Sequence, residues 1–502
     1  MKKHVVTALA MLLAATAWAK DSASPLADRI QAGDIRGALE LIEAGADVNA
    51  AQGDGTTPLH WAVYRLDAEL VDALLARGAA ADVVNLYGAT PLAEAVKAGR
   101  ADLVEKLLAA GADVESPNQD GQTALMLAAR AGATDAARVL IAHGADVNAR
   151  ERWREQTALM WAADSRAAEI VRLLIEHGAE VEARGDINEW PTQITSEPRA
   201  QYRPTGGLTP LLYAARSGCT DCVEALLDAG ASIDRPTPDG VTPLMIAIDN
   251  FRFDTAKRLL ERGANPHYAD WWGRTALYIA VDMNSYPRRM PDEPETTTGM
   301  DIIRMLLAAG VDPNVQLNFH RPGRGGNSGR FVDDLLTTGA TPLLRAAIGH
   351  DVEAIRALLE HGALVDLPNV MGVTPLMAAA GMGVSVRDRR FVVDGDVESR
   401  VIATLEVLLA AGADVNARVT NIHSRTARIA RPSTMTDRLG QTALYGAIKF
   451  GWTRVVEYLL EHGAAVDIVD ALGKSPLDQA LGRTGGRDNI VSEEIARILT
   501  EG

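Results

Sequence analysis

The chain has 502 residues, 47% of them hydrophobic but only 5% aromatic, and a formal net charge of −16. That acidic balance works against nucleic acid and anionic membrane surfaces as partners. The only two cysteines, Cys219 and Cys222, cannot by themselves complete a tetrahedral zinc site.

The first residues have the marks of a leader. Lys2 and Lys3 make a basic start, residues 5–17 are apolar, and Ala17-Trp18-Ala19 is a small-x-small cleavage site. The expectation is a signal peptide at 1–19, with an uncleaved anchor as the alternative. Its removal takes the charge from −16 to −18, because Lys2 and Lys3 leave with it. No later stretch approaches the roughly 20 apolar residues of a membrane-spanning helix, so no membrane insertion is expected after removal. The Met-Lys-Lys opening points to a bacterial periplasmic address, with secretion as the alternative.

From there to the end one phrase recurs. Thr57-Pro58-Leu59-His60-Trp61-Ala62 returns as Thr-Pro-Leu at Thr90, Thr209, Thr242, Thr341 and Thr374 and as Thr-Ala-Leu at Thr123, Thr157, Thr275 and Thr442, and Ser24-Pro25-Leu26 and Ser475-Pro476-Leu477 bracket the series. The commonest step is 33 residues, the period of a repeat array, which overrides the division into globular domains that this length would otherwise suggest. Thr or Ser offers an N-cap oxygen, and Pro in the next position has its φ preset and loses no needed donor. A second apolar run such as Leu70-Val71-Asp72-Ala73-Leu74-Leu75 has helical spacing and ends at Gly78, suited to a left-handed C-terminal turn. An extended, turn-rich segment such as Ala46-Asp47-Val48-Asn49-Ala50 follows, leading to Gly55. Each unit is therefore a helix, a turn, a second helix and a finger.

These phrases closely resemble the ankyrin repeat, whose T-P-L-H-x-A and G-A-D-V-N-A signatures stand here at 57–62 and 45–50, the latter again at 144–149 and 412–417. The resemblance covers the chain beyond residue 23. It implies an all-α solenoid of about twelve helix-turn-helix units over 20–502, with β-hairpin fingers along one edge, used mainly to bind proteins. It implies neither enzymatic activity nor a cofactor. The unit near 24–56 reads as the N-terminal cap and that near 475–502 as the C-terminal cap, where polar Asp478 and Gln479 are expected to face water.

The period breaks in specific places. Arg152-Trp153-Arg154 lengthens one finger to a step of 34. Longer insertions are expected in the fingers at 184–208, 316–339 and 418–440, and between paired helices at 284–299 and 384–400. Long fingers gathered on one face of a repeat protein often belong to its binding face.

Candidate partner contacts follow from these fingers. Trp271 and Trp272, with Arg274 beside them, stand at a finger tip whose counterparts elsewhere include Leu86-Tyr87 and Pro238-Asp239, and adjacent large aromatics at a solvent-facing tip suit an interface. Arg321, Arg324 and Arg330 lie in the 316–339 finger, and Arg425, Arg428 and Arg431 in the 418–440 finger, as basic patches on an acidic chain. Cys219 and Cys222 form C-x-x-C at the start of a second helix. A local disulfide in an oxidising compartment is the leading reading, and a reduced pair or a redox or metal role are the others. His143, His177, His361 and His462 each precede the glycine that ends a second helix, where a histidine meets the last carbonyls. In the related proteins the T-P-L-H histidine, here His60, stiffens neighbouring loops by a hydrogen bond. Trp61, Trp161, Tyr213 and Ile246 share one repeat position and read as inward-facing packing rather than as a sugar ladder.

The function expected is a non-catalytic scaffold that captures an envelope protein on its concave and finger face, as a monomer. The alternatives are a small-molecule or glycan binder beneath the long fingers and a redox-responsive regulator acting through Cys219 and Cys222.

Overall fold

The computed structural model describes residues 24–188, 205–285, 295–318, 335–336, 338–382, 396–420, 438–483 and 490–501. The expected signal peptide at 1–19 and most of each insertion lie outside these. The chain divides into two compact units, Met1–Asp186 with Gly207–Ser232, and Ile187–Gly206 with Ile233–Gly502.

The described residues of the first unit form six helix pairs: α1 (Pro25–Ala32) and α2 (Ile35–Glu43), α3 (Pro58–Tyr64) and α4 (Ala68–Ala76), α5 (Pro91–Lys97) and α6 (Ala101–Ala109), α7 (Ala124–Ala131) and α8 (Thr134–Ala142), α9 (Ala158–Asp164) and α10 (Ala168–Glu176), α11 (Pro210–Ser217) and α12 (Thr220–Asp228). The second unit repeats the pattern with α13 (Pro243–Asp249) and α14 (Phe253–Glu261), α15 (Ala276–Asn284) and α16 (Gly299–Ala308), α17 (Pro342–Gly349) and α18 (Val352–Glu360), α19 (Pro375–Ala379) and α20 (Val397–Ala410), α21 (Ala443–Phe450) and α22 (Thr453–Glu461), α23 (Pro476–Ala480) and α24 (Glu493–Glu501). It also holds β1 (Ile187–Asn188) and β2 (Thr205–Gly206), which pair antiparallel with Ile187 opposite Gly206 at the base of the 184–208 finger. Within a unit, the two helices of a pair pack on each other and on their counterparts in the next pair.

The recurring Thr starts the first helices as the N-cap rule requires. Its hydroxyl accepts from the amide three residues on, from 3.0 Å at Thr90 to 3.5 Å at Thr57. Thr442 is the exception: its hydroxyl is buried without a hydrogen-bond partner, and α21 begins without a side-chain cap. The leucine that follows Pro or Ala, as in Leu59, Leu92, Leu125 and Leu376, is fully buried, and so are Leu70, Val71 and Leu74 of α4. Each such side chain contributes about 1.5–3 kcal/mol of burial, realised only when the neighbouring pair is in place.

His60 closes a capping box. Its Nδ1 accepts from the Thr57 amide at 3.2 Å, which leaves Nε2 to donate to the Ala89 carbonyl of the next finger at 3.1 Å. Burial holds this ring's pKa below its ordinary value, so the neutral tautomer that makes both bonds is the favoured one. His177, His361 and His462 meet the carbonyls of Leu173, Ala357 and Tyr458, each at 2.8 Å. His143 departs from the pattern and turns to Glu105 of the preceding pair, at 3.1 Å.

A second tie between repeats comes from the asparagine of the D-V-N and related phrases. Asn49 donates to the Gly78 carbonyl and accepts from the Ala80 amide, at 3.0 and 2.7 Å. Asn148 does the same with Gly178 and Glu180, Asn314 with Gly362 and Leu364, and Asn416 with Gly463 and Ala465. Where an acid stands at this position, only half of the latch forms. Glu115 accepts from Asp146 N and Asp366 from Asp414 N, and each leaves its other carboxylate oxygen buried without a partner.

Most fingers close as single tight turns, such as Asn85 N to Ala89 O at 3.1 Å. Of the residues expected as an insertion at 384–400, those from 396 on are described: α20 begins early, at Val397, and runs for 14 residues, capped by Asp396 and tied to α22 by Arg454. One expectation needs correction. Gln479 does not face water. It is buried and donates to the Tyr445 carbonyl at 2.8 Å, because α24 covers the last core layer that the array would otherwise expose.

The half-formed latch gives a signed test. Burial and the Asp414 carboxylate push the Asp366 carboxyl up, against the pull of the Asp414 amide. A group raised on folding contributes stability that is full below its unfolded value of 3.8 and lost as pH rises through its folded value. Asp366→Asn, which supplies a donor for the Gly412 carbonyl as Asn314 does for Gly362, is expected to add about 1 kcal/mol at neutral pH. The gain, followed by thermal unfolding, should vanish below pH 3.8.

Candidate functional site

The fingers are knitted edge to edge by main-chain hydrogen bonds. In the first unit Leu86 N donates to Asp54 O, Arg152 N to Asp120 O and Asp186 N to Arg154 O, at 2.9, 2.8 and 2.7 Å. In the second, Trp271 N donates to Asp239 O, Asn318 N to Trp272 O, Val370 N to Thr338 O and Ala471 N to Leu439 O, at 2.8–2.9 Å. A polar side chain stiffens most tips from within. The Oδ1 atoms of Asn85, Asn118, Asp270, Asn369 and Asp470 each accept two amides of their own turn, as Asn85 does from Tyr87 and Ala89 at 3.0 and 2.9 Å.

These anchored tips decide which side chains meet water. Trp271 is 38% exposed. Trp272 is only 7% exposed, and Arg274 is buried with it, so neither is available to a partner as expected. The Arg274 guanidinium lies 5.1 Å from the Trp272 ring centre and donates to Asp270 Oδ2 at 2.6 Å, with Asp249 at 3.7 Å. Burial works against its charge, but the Asp249 and Asp270 carboxylates outweigh it and hold the pKa up. The pair therefore secures its own finger. At the same tip Gly273 has φ +80°, and a Cβ there would stand 2.8 Å from Asn318 N, so glycine is required for the next finger to pair.

Arg321, Arg324, Arg330, Arg425, Arg428 and Arg431 lie outside the described residues. Cys219 and Cys222 are joined in a disulfide with Cα atoms 5.2 Å apart, both buried at the start of α12. Among the described residues no group of three or more His, Cys, Asp or Glu is placed to hold a metal ion, and no helix is long and apolar enough to cross a membrane.

The most exposed apolar tips are ones that the sequence reading passed over. Leu86 and Tyr87 are 73% and 79% exposed, and Trp153 is 76% exposed. Leu86-Tyr87 occupies the repeat position of Trp271-Trp272, and this alignment was the available signal. The Trp153 tip is built differently from the others. Its extra residue is accommodated by Glu151, which stands in place of the usual Asn or Asp and is long enough to serve three amides. Its buried carboxylate accepts from Trp153 N at 2.6 Å, Arg154 N at 2.7 Å and Gln156 N at 3.1 Å.

The aromatic positions of the first helices differ among themselves. Trp61 donates to Gln52 at 2.8 Å, and Trp161 is half-buried beneath the Arg130 guanidinium at 5.4 Å. Tyr213 is buried, with Gln156 on its hydroxyl and Arg216 4.8 Å over its ring, and Ile246 is half-buried.

Glu151→Gln keeps the size of the anchor but turns an NH2 toward amides that need an acceptor. It is expected to destabilise the first unit by about 1–3 kcal/mol, seen as a lower urea midpoint, and to speed hydrogen exchange at the Trp153 and Arg154 amides. Unchanged exchange there would rule out Glu151 as the anchor.

Comparison with known proteins agrees with this geometry. The family model for ankyrin repeats (3 copies) matches residues 27–118, 106–185, 193–270 and 296–419, and that for a single ankyrin repeat matches 439–471. The mitochondrial disaggregase of Bos taurus is 31% identical over 156 residues, which are 28% of this chain and only 20% of that protein. With matches that run through most of its length, a 33-residue period and paired helices joined by knitted fingers, the chain belongs to the ankyrin-repeat family.

Proposed function

We propose that this chain is a non-catalytic scaffold that binds an envelope protein through its fingers, in the bacterial periplasm or, alternatively, after secretion. Ankyrin repeats suggest protein-protein interaction in general. The observation that favours the fingers here is the holding of large apolar side chains in water by main-chain turns with little freedom to move: Leu86 and Tyr87 in the first unit, Trp271 in the second. Trp and Tyr dominate interface energetics, and a preorganised backbone loses little entropy when a partner docks. The export assignment rests on residues 1–19 alone.

Affinity capture from an envelope extract tests the reading, with the full mature chain compared against a Leu86→Ala, Tyr87→Ala, Trp271→Ala variant. These side chains are exposed, so the variant is expected to keep the far-ultraviolet dichroism and unfolding midpoint of the parent. A protein retained by the parent and reduced about tenfold or more on the variant is the expected result. Equal retention would move the site away from these tips, and no specific retention by the parent would overturn the scaffold reading.

A further inference from the structure

The Trp153 tip combines three properties found together at no other described finger. Its aromatic ring is almost wholly in water, its backbone is held by a buried carboxylate, and it carries a cation on each side. Arg152 and Arg154 are exposed, and no described acidic side chain lies within ion-pair distance of either. This contrasts with Arg150, which approaches Glu155 and Glu180 at 3.7 and 3.6 Å, and with Arg274, which is enclosed by Asp249 and Asp270. The finger is pinned on both sides, by Arg152 N on Asp120 O and by Asp186 N on Arg154 O. On the preceding repeat, Arg130 of α7 is likewise exposed without an acid partner and lies over Trp161 of α9, the helix that this finger leads into.

The finger thus carries two unneutralised guanidiniums beside one tryptophan, and Arg130 adds a third over Trp161 on the helix that follows, on a chain of charge −16. Guanidinium binds carboxylate in a bidentate fork, and Trp supplies a large apolar contact at low entropic cost. We propose that Arg152, Trp153 and Arg154, together with Arg130 on Trp161, dock an acidic protein segment that carries apolar side chains between its carboxylates. This rests on the scaffold reading above and names the partner's chemistry. A short segment fits better than an anionic bilayer, because it can lie along Arg152, Trp153 and Arg154, whereas a flat lipid surface would also meet the exposed Asp120 and Asp186 of the neighbouring fingers. Glu151 does not cancel the patch, since its carboxylate is turned inward onto three backbone amides.

The probe is a fluorescein-labelled peptide of alternating glutamate and leucine, followed by anisotropy against the full mature chain. Trp153→Ala, the Arg152→Ala, Arg154→Ala double variant and Arg130→Ala are measured beside it, and their urea midpoints establish that each is folded. The peptide is expected to bind the parent, to lose about tenfold in affinity with the tip variants, and to weaken with salt less steeply once the arginines are gone. Absence of binding to the parent, equal binding by the variants, or equal binding of a lysine and leucine peptide would overturn the proposal. So would binding of phosphatidylglycerol vesicles in place of the peptide. The same variants are carried through the capture experiment. A partner lost with Tyr87 and Trp271 but kept by Trp153→Ala and the double arginine variant would overturn this inference and leave the scaffold reading standing. Capture of no partner by any form would remove both.

Discussion

In most of the described fingers one amide donates to a carbonyl of the finger before it, and this bond sets the register on which the rest depends. A donor and an acceptor can face each other from finger to finger only if the chain returns, after each helix pair, to the same place in the same orientation. The 33-residue period provides that return. Where the period lengthens, the bond survives: Asn318 still finds Trp272 O, and Thr420 finds Met371 O at 3.1 Å. Gly273 shows how little room the register leaves, since a single Cβ there would strike the next finger's amide.

Around this bond the repeats are tied by contacts that are individually small. No helix pair buries its apolar face alone, so the stabilisation resides at junctions between neighbours. The junctions are not equal. Asn49, Asn148, Asn314 and Asn416 satisfy both a carbonyl and an amide of the following repeat, whereas Glu115 and Asp366 satisfy one amide and strand an oxygen. The difference between amide and carboxylate, nearly isosteric groups, lies in the missing donor. Junctions of this kind are the natural places for an array to open first, because an unpartnered buried oxygen costs free energy in the closed state only.

Stiffness along the finger edge has a consequence for recognition. A tip anchored by Asn85, Asp270 or Glu151 has its backbone turn held by side-chain hydrogen bonds, and Tyr87, Trp271 and Trp153 stand exposed on these held turns. Glu151 extends the device to a longer turn. Its carboxylate replaces an amide side chain at the point where the finger gains a residue, and the additional reach is what keeps an arginine, a tryptophan and a second arginine projecting from a fixed backbone.

Much of the fold was legible in the sequence because the signals were local and repeated. The Thr that caps a helix, the glycine that ends one and the spacing of Leu within it act within a few residues of themselves, and a dozen copies in register left the helix pairs and their order in little doubt. The shared position of Leu86-Tyr87 and Trp271-Trp272 was equally visible. What the tertiary structure alone decided was which of these side chains faces out. Trp271 and Trp272 are the same residue type at adjacent positions, and only the ion pair of Arg274 with Asp270 and the pairing of the next finger bury one and leave the other in water. Gln479 reads as a surface residue until α24 covers it, and Glu151 reads as one more acid until three amides converge on it. In each case the deciding contact comes from the turn's closure or from a neighbouring repeat, where a side chain's environment is set by geometry that its own sequence neighbours do not encode.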